Sequence, residues 1–207
     1  MTTTSTLCKQ IFSEAIADYH RYDSVNQPIQ NPYSAKSFEY YLYLKCWIDT
    51  VQWHLEDIIR DTEIAPARAL EIKRIIDKSN QDRTDLVEQI DSYFLNIHSD
   101  VQHQADATMN TESPAWAIDR LSILQLKIYH WKIETQRTDV SETHLTNAKS
   151  KLAILKDQQA DLSQSIDELL TDISLGKKRM KAYKQMKMYN DPELNPVLYV
   201  SKTNKSQ

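Results

Sequence analysis

The sequence predicts an all-α protein, an elongated bundle of five or six helices. Two observations carry that reading. The 207 residues include one glycine, Gly176, and six prolines, whereas a sheet protein of this length needs many glycine turns between β-branched runs. Long windows rich in Leu, Ile, Gln, Lys, Asp and Glu place apolar residues at steps of three and four, the period of a helix with one buried face. The length suits one domain over residues 1–200, with a disordered tail at 201–207.

Helix 1 is expected from about Thr6 to Asp23, with Leu7, Ile11, Phe12, Ala15, Ile16 and Tyr19 inward. His20 and Asp23 could line a pocket, with a surface pair the favoured reading. Residues 26–33 (NQPIQNPY) form a loop by their prolines and amides. Ser34 or Ser37 caps helix 2, which runs to about Asp61. Pro66 suits the first turn of helix 3, expected to reach His103 with Ile72, Ile76, Leu86, Val87, Ile90, Phe94 and Ile97 inward. On its other side Asp77, Gln81, Thr84, Glu88 and Asp91 read as a solvated face. Residues 110–114 (NTESP) start helix 4, with Thr111 or Ser113 as cap. Helix 5, about Ser141 to Leu175, carries a coiled-coil seam: Leu145, Ala148, Leu152, Leu155, Leu162, Ile166, Leu169 and Ile173, broken by Gln159. Its counterpart is helix 3, a second copy of the chain or another protein. Gly176 stops the helix.

Charge shifts after that stop. Residues 141–175 hold six acids against three lysines, whereas 177–187 hold six basic residues and no acid. That run could touch nucleic acid or an anionic surface; the favoured expectation is that it complements the neighbouring acidic helix or the C-terminal end of helix 5. The tail 189–199 carries Leu194, Val197, Leu198 and Tyr199 and is expected to dock on the body. A net charge of -4 argues against nucleic acid as a partner. Two cysteines, Cys8 and Cys46, are too few for a disulfide framework. No segment reads as a signal peptide or membrane span, so the expected location is cytoplasmic.

The most informative feature is a pair of helices that are apolar nearly all round yet each bear a polar stripe. Over Ser37–Asp61 the stripe is Lys45, Asp49, Gln52, Glu56 and Arg60, with Tyr43, His54 and Asp57 at the solvent edge. Over Trp116–Arg137 it is Asp119, Arg120, Lys127, His130 and Glu134. Charges on a central helix are costly unless paired, hydrogen-bonded or used. Arg83, on the apolar side of helix 3, needs a carboxylate partner.

Four strings, residues 48–61 (IDTVQWHLEDIIRD), 80–91 (NQDRTDLVEQID), 110–130 (NTESPAWAIDRLSILQLKIYH) and 184–199 (KQMKMYNDPELNPVLY), resemble a bacterial family known only as domain of unknown function 4254. The resemblance extends from helix 1 to Tyr199. It implies that Asp49, Gln52, His54, Glu56, Asp57, Arg60, Arg83, Asp85, Glu112, Asp119, Arg120 and His130 are family hallmarks, and it implies no particular reaction.

Several chemistries fit the stripes. Asp49 and Glu56 are the candidate metal carboxylates. His130 is the acid–base candidate, with Glu134 or Asp119 as its partner. Lys45, Gln52, Arg60, Arg83, Arg120 and Lys127 are the ligand-binding set. The cofactor stays open, with a divalent metal allowed by the mixed ligands. The chain has neither Glu-x-x-His nor His-Glu-x-x-His. Glu88-x-x-Asp91 resembles half of the magnesium motif of all-helical nucleotide pyrophosphatases, but the other half, Glu-x-x-Glu, is missing from helix 2. The leading expectation is an intracellular protein with a polar pocket between helices 2, 3 and 4 for a charged small ligand, phosphorylated ligands included, hydrolysed with a divalent metal. The alternative is a non-enzymatic scaffold or dimer whose stripes are structural salt bridges and whose partner surface is helix 5.

Overall fold

A computed structural model describes residues 2–188 and 191–204, with side chains to residue 200. Six helices lie among them: α1 (Thr4–Tyr19), α2 (Phe38–Ile59), α3 (Pro66–Ile97), α4 (Pro114–Glu134), α5 (Glu142–Ser174) and α6 (Pro196–Asn204). The all-α expectation holds. The strands are two residues each, β1 (Thr108–Met109) and β2 (Lys178–Arg179), paired in parallel. No helix among the described residues is long and apolar enough to cross a membrane.

Helix starts follow local chemistry. Ser37, Ser113 and Ser141 accept from the backbone N–H three residues on, and Pro66 and Pro114 occupy first turns. Two ends come earlier than the periodicity suggests, each with a histidine as the C-cap. His20 Nδ1 lies 2.7 Å from the Ile16 carbonyl and His98 Nδ1 lies 2.8 Å from that of Phe94. Each of those carbonyls also accepts the backbone N–H of the same histidine, at 3.2 Å, so ring and backbone share one acceptor in the last turn. α1 stops at Tyr19 rather than Asp23, and α3 at Ile97 rather than His103.

Helices α2 and α4 are central. α2 packs on α1, α3 and α4, and α4 packs on α5, α1, α3 and α2. One continuous core joins them, with Phe12, Tyr19, Leu42, Cys46, Ile118, Leu121 and Leu126 fully buried. Each such aliphatic side chain contributes about 1.5–3 kcal/mol by leaving water. Leu55, Ile72 and Ile76 form a smaller cluster between α2 and α3.

The seam on α5 meets α4, not α3. At its polar break Gln159 donates to Gln125, which donates in turn to Ser13 of α1 at 2.8 Å. The acidic line of α3 is not a free solvated face. Thr84 and Asp91 are buried, Asp91 accepts from the Ala115 backbone N–H, and Glu88 accepts from that of Gln185. Lys187 reaches the Asn80 carbonyl and the Thr84 hydroxyl, so the basic segment crosses α3. In the tail, Leu194, Val197, Leu198 and Tyr199 are 39–72% exposed. The backbone from 201 to 204 is the end of α6. Tyr189, Asn190 and 205–207 lie outside the described residues.

Gly176 has φ +70, and an added Cβ would lie 2.2 Å from the Gln102 carbonyl oxygen. Its own carbonyl accepts from Gln104 N–H at 2.9 Å, which ties the post-α3 loop to the end of α5. The Gly176→Ala variant is expected to lose at least about 1 kcal/mol from the left-handed backbone alone, and more from the clash. Denaturant unfolding checks this, with an unchanged midpoint as the contrary result.

Candidate functional site

Four stripe positions of α2 and α4 fall in two clusters rather than one: Lys45, Asp49 and Asp119 in the first, His130 in the second. The first is a buried charge quartet. Lys45 sits between two carboxylates, paired with Asp49 one turn along α2 and 2.8 Å from Asp119 Oδ1 of α4. Arg83 of α3 grips Asp119 through Nε at 3.1 Å and Nη2 at 2.9 Å. Ser122 donates to Asp49 Oδ2 at 2.6 Å. Two acids and two bases thus join three helices, and only Arg83 has a side chain with substantial exposure, 25%.

The carboxylates are not equivalent. Arg83 Nε also lies 3.1 Å from Asp49 Oδ1, but its N–H is directed at Asp119, so Asp49 Oδ1 has a charge neighbour and no hydrogen bond. Burial pushes the Asp49 carboxyl up, against the pull of Lys45 and Arg83. Burial also acts on Asp119, but Lys45 and the two-pronged Arg83 contact outweigh it and hold that carboxyl below its usual range.

Beside the quartet a cleft of about 320 Å³ opens, lined by Asp49, Gln52, Trp53, Glu56, Asp57, Arg60, Arg83 and Ile123. Gln52 is held by Ser79 and Asn80 of α3, both at 3.0 Å. Glu56 and Arg60 pair at the mouth at 3.3 Å. The Nη1 of Arg83 makes no hydrogen bond among the described residues. A larger hollow of 440 Å³, around the start of α4, shares no lining residue with the cleft. Its one buried acid, Asp91, is already spent in capping α4.

The second cluster holds three of the six histidines. His20 at the end of α1, His54 of α2 and His130 of α4 bring one ring nitrogen each within 4.8 Å of the others. His20 Nε2 and His54 Nε2 are 3.2 Å apart. Aromatic rings fix the planes: Trp53 stacks on His130 at 4.8 Å, Tyr19 stacks on His54 at 5.1 Å, and Tyr129 lies 4.4 Å from His20. The Nε2 of His130 is buried without a partner. Burial, then the neighbouring His20 and His54, push His130 down to about 4, and burial lowers His54.

The expected groupings are therefore rearranged. His130 faces His20 and His54, not Asp119 or Glu134. Asp119 belongs to the quartet. Glu134 lies at the far end of α4, paired with Arg137 and with His144 of α5. Arg120 is exposed on Glu112, and Lys127 is exposed. Lys45 is walled in by carboxylates. Only Asp49, Gln52, Glu56, Arg60 and Arg83 of the proposed residues share the cleft. Tyr43, expected at the solvent edge, is buried and donates to Asp18 at 2.9 Å. His20 and His54 were the missed partners. The available signal is an aromatic neighbour in sequence, Tyr19 before His20 at the end of α1 and Trp53 before His54 on α2, but pairing the two histidines needs the α1–α2 crossing. Both cysteines are buried, and burial pushes their thiols up to about 12, which removes them as nucleophiles.

A sequence model described as a protein of unknown function, DUF4254, matches residues 39–182. That span contains the quartet, the cleft, His54 and His130, and excludes α1 with His20 and the string 184–199. No curated protein and no solved structure matches the chain.

Two outcomes follow from the quartet. The Lys45→Met variant leaves two buried carboxylates facing one guanidinium and is expected to lose about 3–5 kcal/mol in chemical denaturation; a loss below about 1 kcal/mol contradicts the arrangement. On acidification Asp49 is expected to take up its proton at higher pH than Asp119. Asp119's stabilisation is present above its unfolded value and is lost as the pH falls through its lower folded value. Carboxyl carbon shifts read by NMR give the order, and simultaneous or reversed titration counts against it.

Proposed function

We propose that this chain, which belongs to the DUF4254 family of proteins of unknown function, binds a small anionic ligand, a phosphorylated or carboxylated metabolite, in the cleft between α2, α3 and α4. The observation that carries the reading is Arg83. Asp119 fixes one edge of its guanidinium, and the group stays partly exposed at the cleft with Nη1 unused. A planar cation held rigid from behind is well suited to grip an oxyanion. Trp53 and Ile123 supply apolar walls, and Gln52 adds a held amide.

Hydrolysis at this cleft is less well supported than binding. The carboxylates offered for a metal, Asp49 and Glu56, are committed to Lys45, Arg83 and Ser122 and to Arg60 respectively. A second reading, a non-enzymatic scaffold, is favoured by the charge balance of the quartet, since two acids matched by two bases need no ligand. Its partner surface would include the outer side of α5, where Ile154 is 54% exposed.

The test is thermal unfolding against sugar phosphates, nucleotides and small carboxylic acids. A ligand at 100 times its Kd adds about 2.7 kcal/mol, roughly 5–10 °C for a chain of this length. Ile123→Trp fills the cleft while leaving all four charged side chains of the quartet unsubstituted, and is expected to abolish the shift while keeping the ligand-free melting temperature within about 2 °C. A flat panel, or a shift that survives in Ile123→Trp, turns the account to the scaffold.

A further inference from the structure

We propose that His20, His54 and His130 bind one divalent transition-metal ion, with zinc the expected occupant, at a centre separate from the anion cleft. Three imidazoles meet from the end of α1, from α2 and from α4, mutually inclined by 65–70°, with one nitrogen of each inside a 4.8 Å set. Around a tetrahedral ion with metal–nitrogen bonds of about 2.0–2.1 Å, ligand nitrogens sit roughly 3.4 Å apart. The His20–His54 separation of 3.2 Å is already there, and His130 needs only a small side-chain movement.

The tautomers suit the same conclusion. His20 Nδ1 lies 2.7 Å from the Ile16 carbonyl, which can only accept. The proton is therefore on Nδ1, and Nε2 presents its lone pair to the cluster. A backbone carbonyl behind a histidine is the usual outer support of a metal-ligating ring. His130 Nε2 is buried with no protein partner, and the Tyr19 hydroxyl, on the ring stacked over His54, is buried and unpartnered as well. Packing alone does not explain three such rings, because phenylalanine would fill the volume with no nitrogen to satisfy.

Three neutral imidazoles select zinc, cobalt, nickel or copper over magnesium or calcium, which take oxygen. The trio also leaves a coordination position open, as in catalytic rather than structural zinc sites. Asp23 Oδ1, 3.7 Å from His54 Nε2 on a largely exposed side chain, stands at the rim and supplies negative charge. Trp53 is the partition: one part of it stacks on His130 and it also lines the anion cleft.

The experiment is titration of the chelator-treated full chain with Co²⁺ and with Zn²⁺, by visible absorption and calorimetry. The expected result is one equivalent bound, cobalt bands of a low-coordinate nitrogen site, and at least tenfold weaker binding in His20→Ala, His54→Ala and His130→Ala. His98→Ala, His103→Ala and His144→Ala should bind as the unsubstituted chain does. Should the alanine variants unfold, histidine ¹⁵N NMR of the unsubstituted protein decides: three of six rings shift on adding zinc and the other three do not. No binding, binding that survives all three substitutions, or shifts at His98, His103 or His144 instead, overturns the proposal.

Discussion

The contact on which the rest of the molecule depends is Lys45 between Asp49 and Asp119, completed by Arg83. A lone ammonium with no exposure would be untenable in a helical core. Here each charge meets its opposite at hydrogen-bond distance, and the four side chains come from three helices. An apolar contact tolerates sliding and rotation. This one does not, because a shift of one residue along any helix would strand a charge in the core. The quartet therefore specifies the mutual register of α2, α3 and α4 more sharply than the surrounding leucines can, a role that buried polar groups fill in some other helical assemblies.

That register sets both candidate sites. Gln52, Trp53 and Glu56 continue the Asp49 face of α2 to form the cleft, and His54 lies on the adjoining flank. On α4, Asp119 and Ser122 hold the quartet end while His130, about three turns on, reaches the α1–α2 crossing. Trp53 separates the two sites while touching both. Its indole is thus the shortest physical route by which occupancy of one would be felt at the other.

Much of the fold was legible because helix physics is local. Ser37, Ser113, Pro66, Pro114 and Gly176 act within one turn of themselves, and the apolar steps on each helix mark its buried side. The partnership of charges was partly legible as well: a helix apolar all round makes Lys45, Asp49, Asp119 and Arg83 expensive, so pairing is required. Which pairs form was not, since Arg83 and Asp119 are far apart in sequence and meet only through the α3–α4 packing. His130 was recognisable as unusual, yet its neighbours on α4, Asp119 and Glu134, were the wrong partners. Periodicity along one helix cannot report that α1 ends at His20 and delivers that ring to the same point. The acidic line on α3 misled for a related reason: the segment that covers it lies about a hundred residues later.

A double-mutant cycle between Lys45 and Asp119, using Lys45→Met and Asp119→Leu singly and together in chemical denaturation, tests the central claim most directly. If the quartet sets the register, the double variant is expected to be markedly less destabilised than the sum of the singles, with a coupling of roughly 2–3 kcal/mol. Additive losses, with a coupling below about 0.5 kcal/mol, would mean that the apolar core places these helices by itself and that the buried charges are passengers.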